Sequence, residues 1–209
     1  MKTSVIIICF VLSWNLLLPW ATAAGATEPT VLASQTGLLM GPAQGVCEVR
    51  KLKDDQGITI AVYAKNGNPL WKSEPLGEDD KTFLLGETPT TLALQDLDRD
   101  GLPEILVAAF IGPRSSGLYV FRYDASTKGF VAIPCRFPKE GLDRDCLISD
   151  VHQASGGDLV MRTDGTAQVL GMIYSENPDE PPTPGLWTFA FQGGAFVHQT
   201  TEKLPPPGD

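Results

Sequence analysis

Gly117–Val131 reads GLYVFRYDASTKGFV, and Gly185–Val197 reads GLWTFAFQGGAFV. Both run glycine, leucine, then three aromatics at alternate positions, a turn, and a residue followed by Phe-Val. Side chains two apart share one face of a strand, so each stretch predicts a hairpin with one face in a core. The echo extends upstream. Asp96 and Glu104 are eight apart and precede Ile105-Leu106-Val107; Asp150 and Asp158 are eight apart and precede Leu159-Val160-Met161. The order loop, strand, hairpin thus occurs twice. The second loop, DVHQASGGD, reads as a decayed copy, with His152 and Ala154 where ligands stand in the first.

Other strand signals surround this repeat. Ile58–Tyr63 runs into Asn66-Gly67, a dipeptide suited to a tight turn, and Pro69-Leu70-Trp71 returns. Val46–Lys53 is expected to pair before it through the turn at Asp54–Gly57. Leu159–Arg162 meets Asp164-Gly165 and returns as Ala167–Ile173. With 21 glycines and 17 prolines, no segment sustains an apolar helical period. The expected fold class is all-β, with antiparallel propeller-like blades, three or four units, irregular or incomplete, and few helices. A β-sandwich with two similar hairpins is the alternative.

The termini read differently. Lys2 is the only charge before Glu28, Val5–Leu18 is almost unbroken apolar sequence, and Ala21-Thr22-Ala23 has the small-x-small pattern of a cleavage site. Residues 1–23 are expected to be a secretory signal peptide, the apolar run being shorter than the roughly 20 residues a membrane span needs. Residues 24–44 are expected to be a mobile lead-in, 45–203 one β-rich domain, and 204–209 a proline-rich tail. Ser175–Gly185, acidic and proline-rich, is expected as an exposed loop. The chain would then be secreted or periplasmic, without a membrane span after cleavage. Its 25 acidic against 16 basic side chains argue against nucleic acid, whose backbone demands a basic face. An oxidising compartment favours one disulfide among Cys47, Cys135 and Cys146, and Cys135 with Cys146, bracketing a polar loop, is the expected pair. All three reduced is the alternative.

Asp96–Phe110 reads DLDRDGLPEILVAAF. A calcium loop offers side-chain oxygens at positions 1, 3 and 5, a glycine at 6, a carbonyl at 7 and a carboxylate at 9. Here those are Asp96, Asp98, Asp100, Gly101, the Leu102 carbonyl and Glu104. The helix-loop-helix form needs a glutamate at position 12, which is Val107, and strand-like sequence follows. The reading is therefore an EF-like loop that launches a strand. A turn capped by its own aspartates is the alternative. Magnesium competes but prefers a smaller octahedral set, and zinc or copper would want His or Cys.

The stretch LQDLDRDGLPEILVAAF resembles the calcium loop of FG-GAP (VCBS-type, integrin-α-like) β-propeller repeats. The resemblance implies Asp96, Asp98, Asp100, Leu102 and Glu104 as calcium ligands, and a role in adhesion or protein contact. A closed propeller of that family has about seven blades, more than this chain can supply, and only one loop is intact.

Few catalytic signals exist. Only His152 and His198 are present, with no nucleophile elbow or phosphate-cradling loop. Asp143 and Asp145 read as a solvated turn rather than a hydrolytic pair, and Trp71 and Trp187 as core rather than sugar platforms. The expected function is that of an exported non-catalytic calcium-binding β module for structure or contact with a protein partner. The alternative is a periplasmic inhibitor of an extracytoplasmic enzyme such as lysozyme, presenting Arg114–Tyr119 as an exposed Ser-Gly loop.

Overall fold

The computed structural model describes residues 28–151, 157–175 and 177–205. The expected signal peptide, His152, Ala154 and the last four residues of the tail lie outside the described residues. Those described contain strands and no helix.

Three four-stranded antiparallel meanders carry the fold. The first is β1 (Thr30–Gly37), β2 (Cys47–Asp54), β3 (Gly57–Ala64) and β4 (Pro69–Lys72), paired in that order. Short strands β5 (Asp79–Asp80), β6 (Phe83–Leu85) and β7 (Thr88–Thr90) follow. The second meander is β8 (Leu92–Gln95), β9 (Glu104–Phe110), β10 (Ser116–Asp124) and β11 (Gly129–Ala132). Then come β12 (Cys135–Phe137), β13 (Leu142–Arg144) and β14 (Leu147–Ser149). The third meander is β15 (Leu159–Met161), β16 (Thr166–Ile173), β17 (Thr183–Gln192) and β18 (Ala195–Lys203). The short strands stitch edges: β5 pairs with β9, β14 with β10, while β6 and β12 run parallel to β15 and β18. These are irregular blades, and they do not close into a propeller.

The hairpins form where the aromatic alternation places them. Tyr123 pairs with Phe130 across β10 and β11, and Phe191 with Phe196 across β17 and β18. The Asn66-Gly67 and Asp164-Gly165 turns both form. Of the expected Ser175–Gly185 loop, Ser175 and residues 177–182 are exposed, but Thr183–Gly185 already belong to β17.

The second sheet is the middle layer. Ile105, Val107 and Ala109 of β9 face a core shared with Val49, Ile58, Ile60 and Val62 of the first sheet. Leu106 and Ala108 face the opposite core, shared with Leu159, Val169, Phe189 and Phe196 of the third. A strand buried on both faces reads as a continuous apolar run, which is what ILVAAF is.

Two expectations are corrected. The stretch 24–44 contains a strand, β1. It is an exposed edge strand, so it has no burial alternation to read, and its order comes from backbone pairing to β2. Cys135 and Cys146 are separate buried thiols, as is Cys47. Cys135 lies opposite Arg144, and Cys146 is two residues further on. β13 ends at Arg144, so Cys146 lies beyond the ladder that faces Cys135 and is not its cross-strand partner. Burial pushes the Cys135 thiol up to about 12 and the Cys146 thiol to about 11.

Candidate functional site

The loop between β8 and β9 is closed by the cross-strand pair Gln95 and Glu104. Closure returns position 9 of the loop to position 1. The loop then folds on its own side chains. Asp98 Oδ1 accepts from the Asp100 N–H (3.1 Å), Asp96 Oδ2 from the Gly101 N–H (3.0 Å), and Asp100 Oδ1 from the Leu102 N–H (2.7 Å). Arg99 (φ 62°) and Gly101 (φ 91°) both take left-handed backbone, which turns the chain sharply.

Carboxylate oxygens of Asp96, Asp98 and Glu104 lie within 4.8 Å of one another. Two oxygens that share one hard cation at about 2.4 Å each are at most about 4.8 Å apart, so this spacing admits a shared ion. Asp96 and Asp98 are exposed, while Glu104 is 3 % exposed. Asp100 stands in the loop but does not join this cluster, and Leu102 neighbours it at position 7.

Glu104 is the unusual member. Its Oε2 accepts from the Leu97 N–H (2.8 Å). Among the described residues no ion pair involves it. Burial, reinforced by the nearby Asp98 and Asp100 charges, pushes its carboxyl up to about 7, against the Leu97 hydrogen bond that favours the charged form. A cation held by Asp96 and Asp98 would relieve that strain on the ionised form. Beside the loop lies a cleft of about 330 Å³, walled opposite by Arg122 and Asp124 at the end of β10.

A second polar assembly, which the sequence reading missed, ties the three sheets together. Lys51 of β2 is fully buried; its Nζ donates to Asp80, to the Thr91 hydroxyl and to the Ala108 carbonyl of β9 (2.6 Å). Lys81 Nζ pairs with Asp158 at 2.6 Å with both side chains fully buried, and the Ser116 hydroxyl donates to the same carboxylate (3.0 Å). Strand alternation did carry one signal: Cys47, Val49 and Lys51 share the inward face of β2.

The remaining candidates resolve simply. Asp143 makes an exposed contact with Arg136 (3.5 Å), and Asp145 is exposed. His198 is half-buried against Phe137 and Phe189 rather than on the open surface. Ser116 and Gly117 are buried in β10, so Arg114–Tyr119 does not form an exposed Ser-Gly loop. No family model matches the chain, and no curated protein or solved structure does either.

Proposed function

We propose that the chain is an exported, non-catalytic calcium-binding β module. Calcium orders the Asp96–Glu104 loop and fixes the head of β9, the strand on which both cores depend. The module serves structure or contact with a protein partner, as the resemblance of the loop to FG-GAP repeats suggests. The observation that carries this reading is the convergence of Asp96, Asp98 and the buried Glu104, three carboxylates with no basic partner among the described residues. Concentrating like charge around a buried carboxylate is unfavourable without a cation, and an all-oxygen set suits calcium.

The test is a thermal melt in EDTA and then across about 0.01–10 mM calcium, the upper part of which spans extracellular affinities. An ion that binds only the folded state at 100 times its dissociation constant stabilises by about 2.7 kcal/mol. For a chain of this size that raises the midpoint by roughly 5–10 °C. Asp98→Ala should abolish the rise, and Asp98→Asn, which keeps the turn-capping oxygen, should weaken it. A midpoint indifferent to calcium would sink the reading.

A further inference from the structure

The segment carrying β12–β14 and the β16–β17 hairpin enclose a cleft of about 520 Å³. Small-molecule sites span about 300–1,000 Å³. Its aromatic lining is Phe137, Phe189, Tyr174 and Trp187, and the Trp187 indole rests on bare backbone. Gly171 and Gly185 face each other across β16 and β17. A Cβ on Gly171 would come within 2.9 Å of the indole, and one on Gly185 within 3.2 Å. The same Gly171 Cβ would also strike Asp150 Oδ1 at 2.9 Å. The two glycines therefore let the ring and the carboxylate sit side by side.

The polar groups around the ring are held in place. Asp150 Oδ1 accepts from the Met172 N–H (2.7 Å), and its Oδ2 accepts from the Tyr174 hydroxyl (3.1 Å). Tyr174 is 67 % exposed, the most exposed of the large apolar side chains described, yet it is tethered at the cleft. Arg144 and Glu140 add one charge of each sign. Trp71 packs on Phe121 and Phe130, whereas Trp187 has no ring partner among the described residues. One aromatic is thus left unstacked inside a cleft, and another stands in solvent beside it.

We infer that this cleft binds a saccharide. A sugar ring has an apolar C–H face for the Trp187 indole and a perimeter of hydroxyls that both donate and accept. Asp150 and Glu140 accept from such hydroxyls, and Arg144 and Tyr174 bracket them. A wholly apolar ligand would desolvate these groups without replacing their hydrogen bonds. An anion would meet the carboxylates of Asp150 and Glu140, and a cation would meet Arg144 in the lining and the charge of Arg114 close to Tyr174. The inference is independent of the calcium reading, since no proposed ligand of the loop lines this cleft.

The experiment is titration calorimetry of the purified protein against neutral cello-, chito-, malto- and manno-oligosaccharides, with tetramethylammonium as the cationic control, in EDTA and again in calcium. One saccharide class should bind with a Kd of about 1 mM or tighter. Tyr174→Ser, an exposed change that leaves the melt unaltered, should weaken it about tenfold, as loss of an aromatic anchor does. Asp150→Ala should weaken it further, and Trp187→Ala should abolish it. Because Trp187 also packs on a core, Tyr174→Ser is the deciding variant. Absence of binding to every class, binding unchanged in Tyr174→Ser, or tetramethylammonium displacing the sugar would each overturn the assignment.

Discussion

Glu104 shows how one side chain couples the loop to the body of the fold. It opens β9, so its Cα belongs to a buried strand while its carboxylate turns back into the loop. The folded-state value of about 7 exceeds the ordinary carboxylate value of 4.5. Between those values the folded protein keeps a proton that the unfolded chain has released. Without metal, stability is therefore expected to fall as pH rises from about 4.5 to about 7, and to level off above. A cation binds the ionised carboxylate, so its stabilising increment should grow across the same window. Melts in EDTA and in calcium across that range would read both trends, and Glu104→Gln should flatten the EDTA curve. A Glu104→Gln curve as steep as the parent would assign the slope to another group. At this scale the convergence of Asp96, Asp98 and Glu104 was legible because a loop of fixed length dictates which oxygens approach one another. That Asp100 would stand outside the cluster was not legible, since all three aspartates cap backbone N–H groups of the turn and the sequence does not say which also converge.

At the scale of elements, the two echoed loops end differently. Asp158 follows Asp150 by eight residues as Glu104 follows Asp96, and it stands just before β15 where Glu104 is the first residue of β9. Its buried charge is met by Lys81, an ammonium from the chain itself. Asp158 thus has an ammonium of the chain beside it where Glu104 has two further carboxylates. Removing one partner of such a buried pair leaves the other uncompensated, so Lys81→Met should lower the unfolding free energy by about 3–5 kcal/mol. Lys81→Met with Asp158→Asn should recover much of that loss, measured by urea denaturation. No recovery would mean that Lys81 matters mainly to other neighbours, such as the Phe110 ring beneath it. Hairpins were readable because aromatics at alternate positions and Asn-Gly or Asp-Gly turns are local signals. The short strands β5, β6, β7, β12, β13 and β14 were not, since two or three residues cannot display a period. The Lys81–Asp158 pair spans 77 residues, beyond any local pattern.

For the whole molecule, the question is whether three stacked sheets unfold as one. Each sheet contributes to a core it does not own alone: β9 faces the first sheet through Ile105 and Val107 and the third through Leu106 and Ala108. The buried lysines add polar ties, Lys51 joining the first sheet to β9 and Lys81 with Asp158 and Ser116 joining the third sheet to β10. The middle sheet therefore cannot lose its order without opening both cores, and neither outer sheet can leave without exposing half of β9. Two tryptophans report the cores separately. Trp71 packs at the first with Phe121 and Phe130, and Trp187 lies against the second. In a chain that lacks residues 1–23, and with them Trp14 and Trp20, Trp71→Phe and Trp187→Phe leave one reporter each. Their urea transitions should coincide with each other and with the far-ultraviolet dichroism. Ile105→Ala and Leu106→Ala, one in each core, should each cost about 2–5 kcal/mol. Both should shift the two reporters together, because each truncation weakens the one strand the sheets share. If Ile105→Ala moved the Trp71 transition alone, the first sheet would be a separable unit and the molecule a chain of blades rather than a single cooperative body.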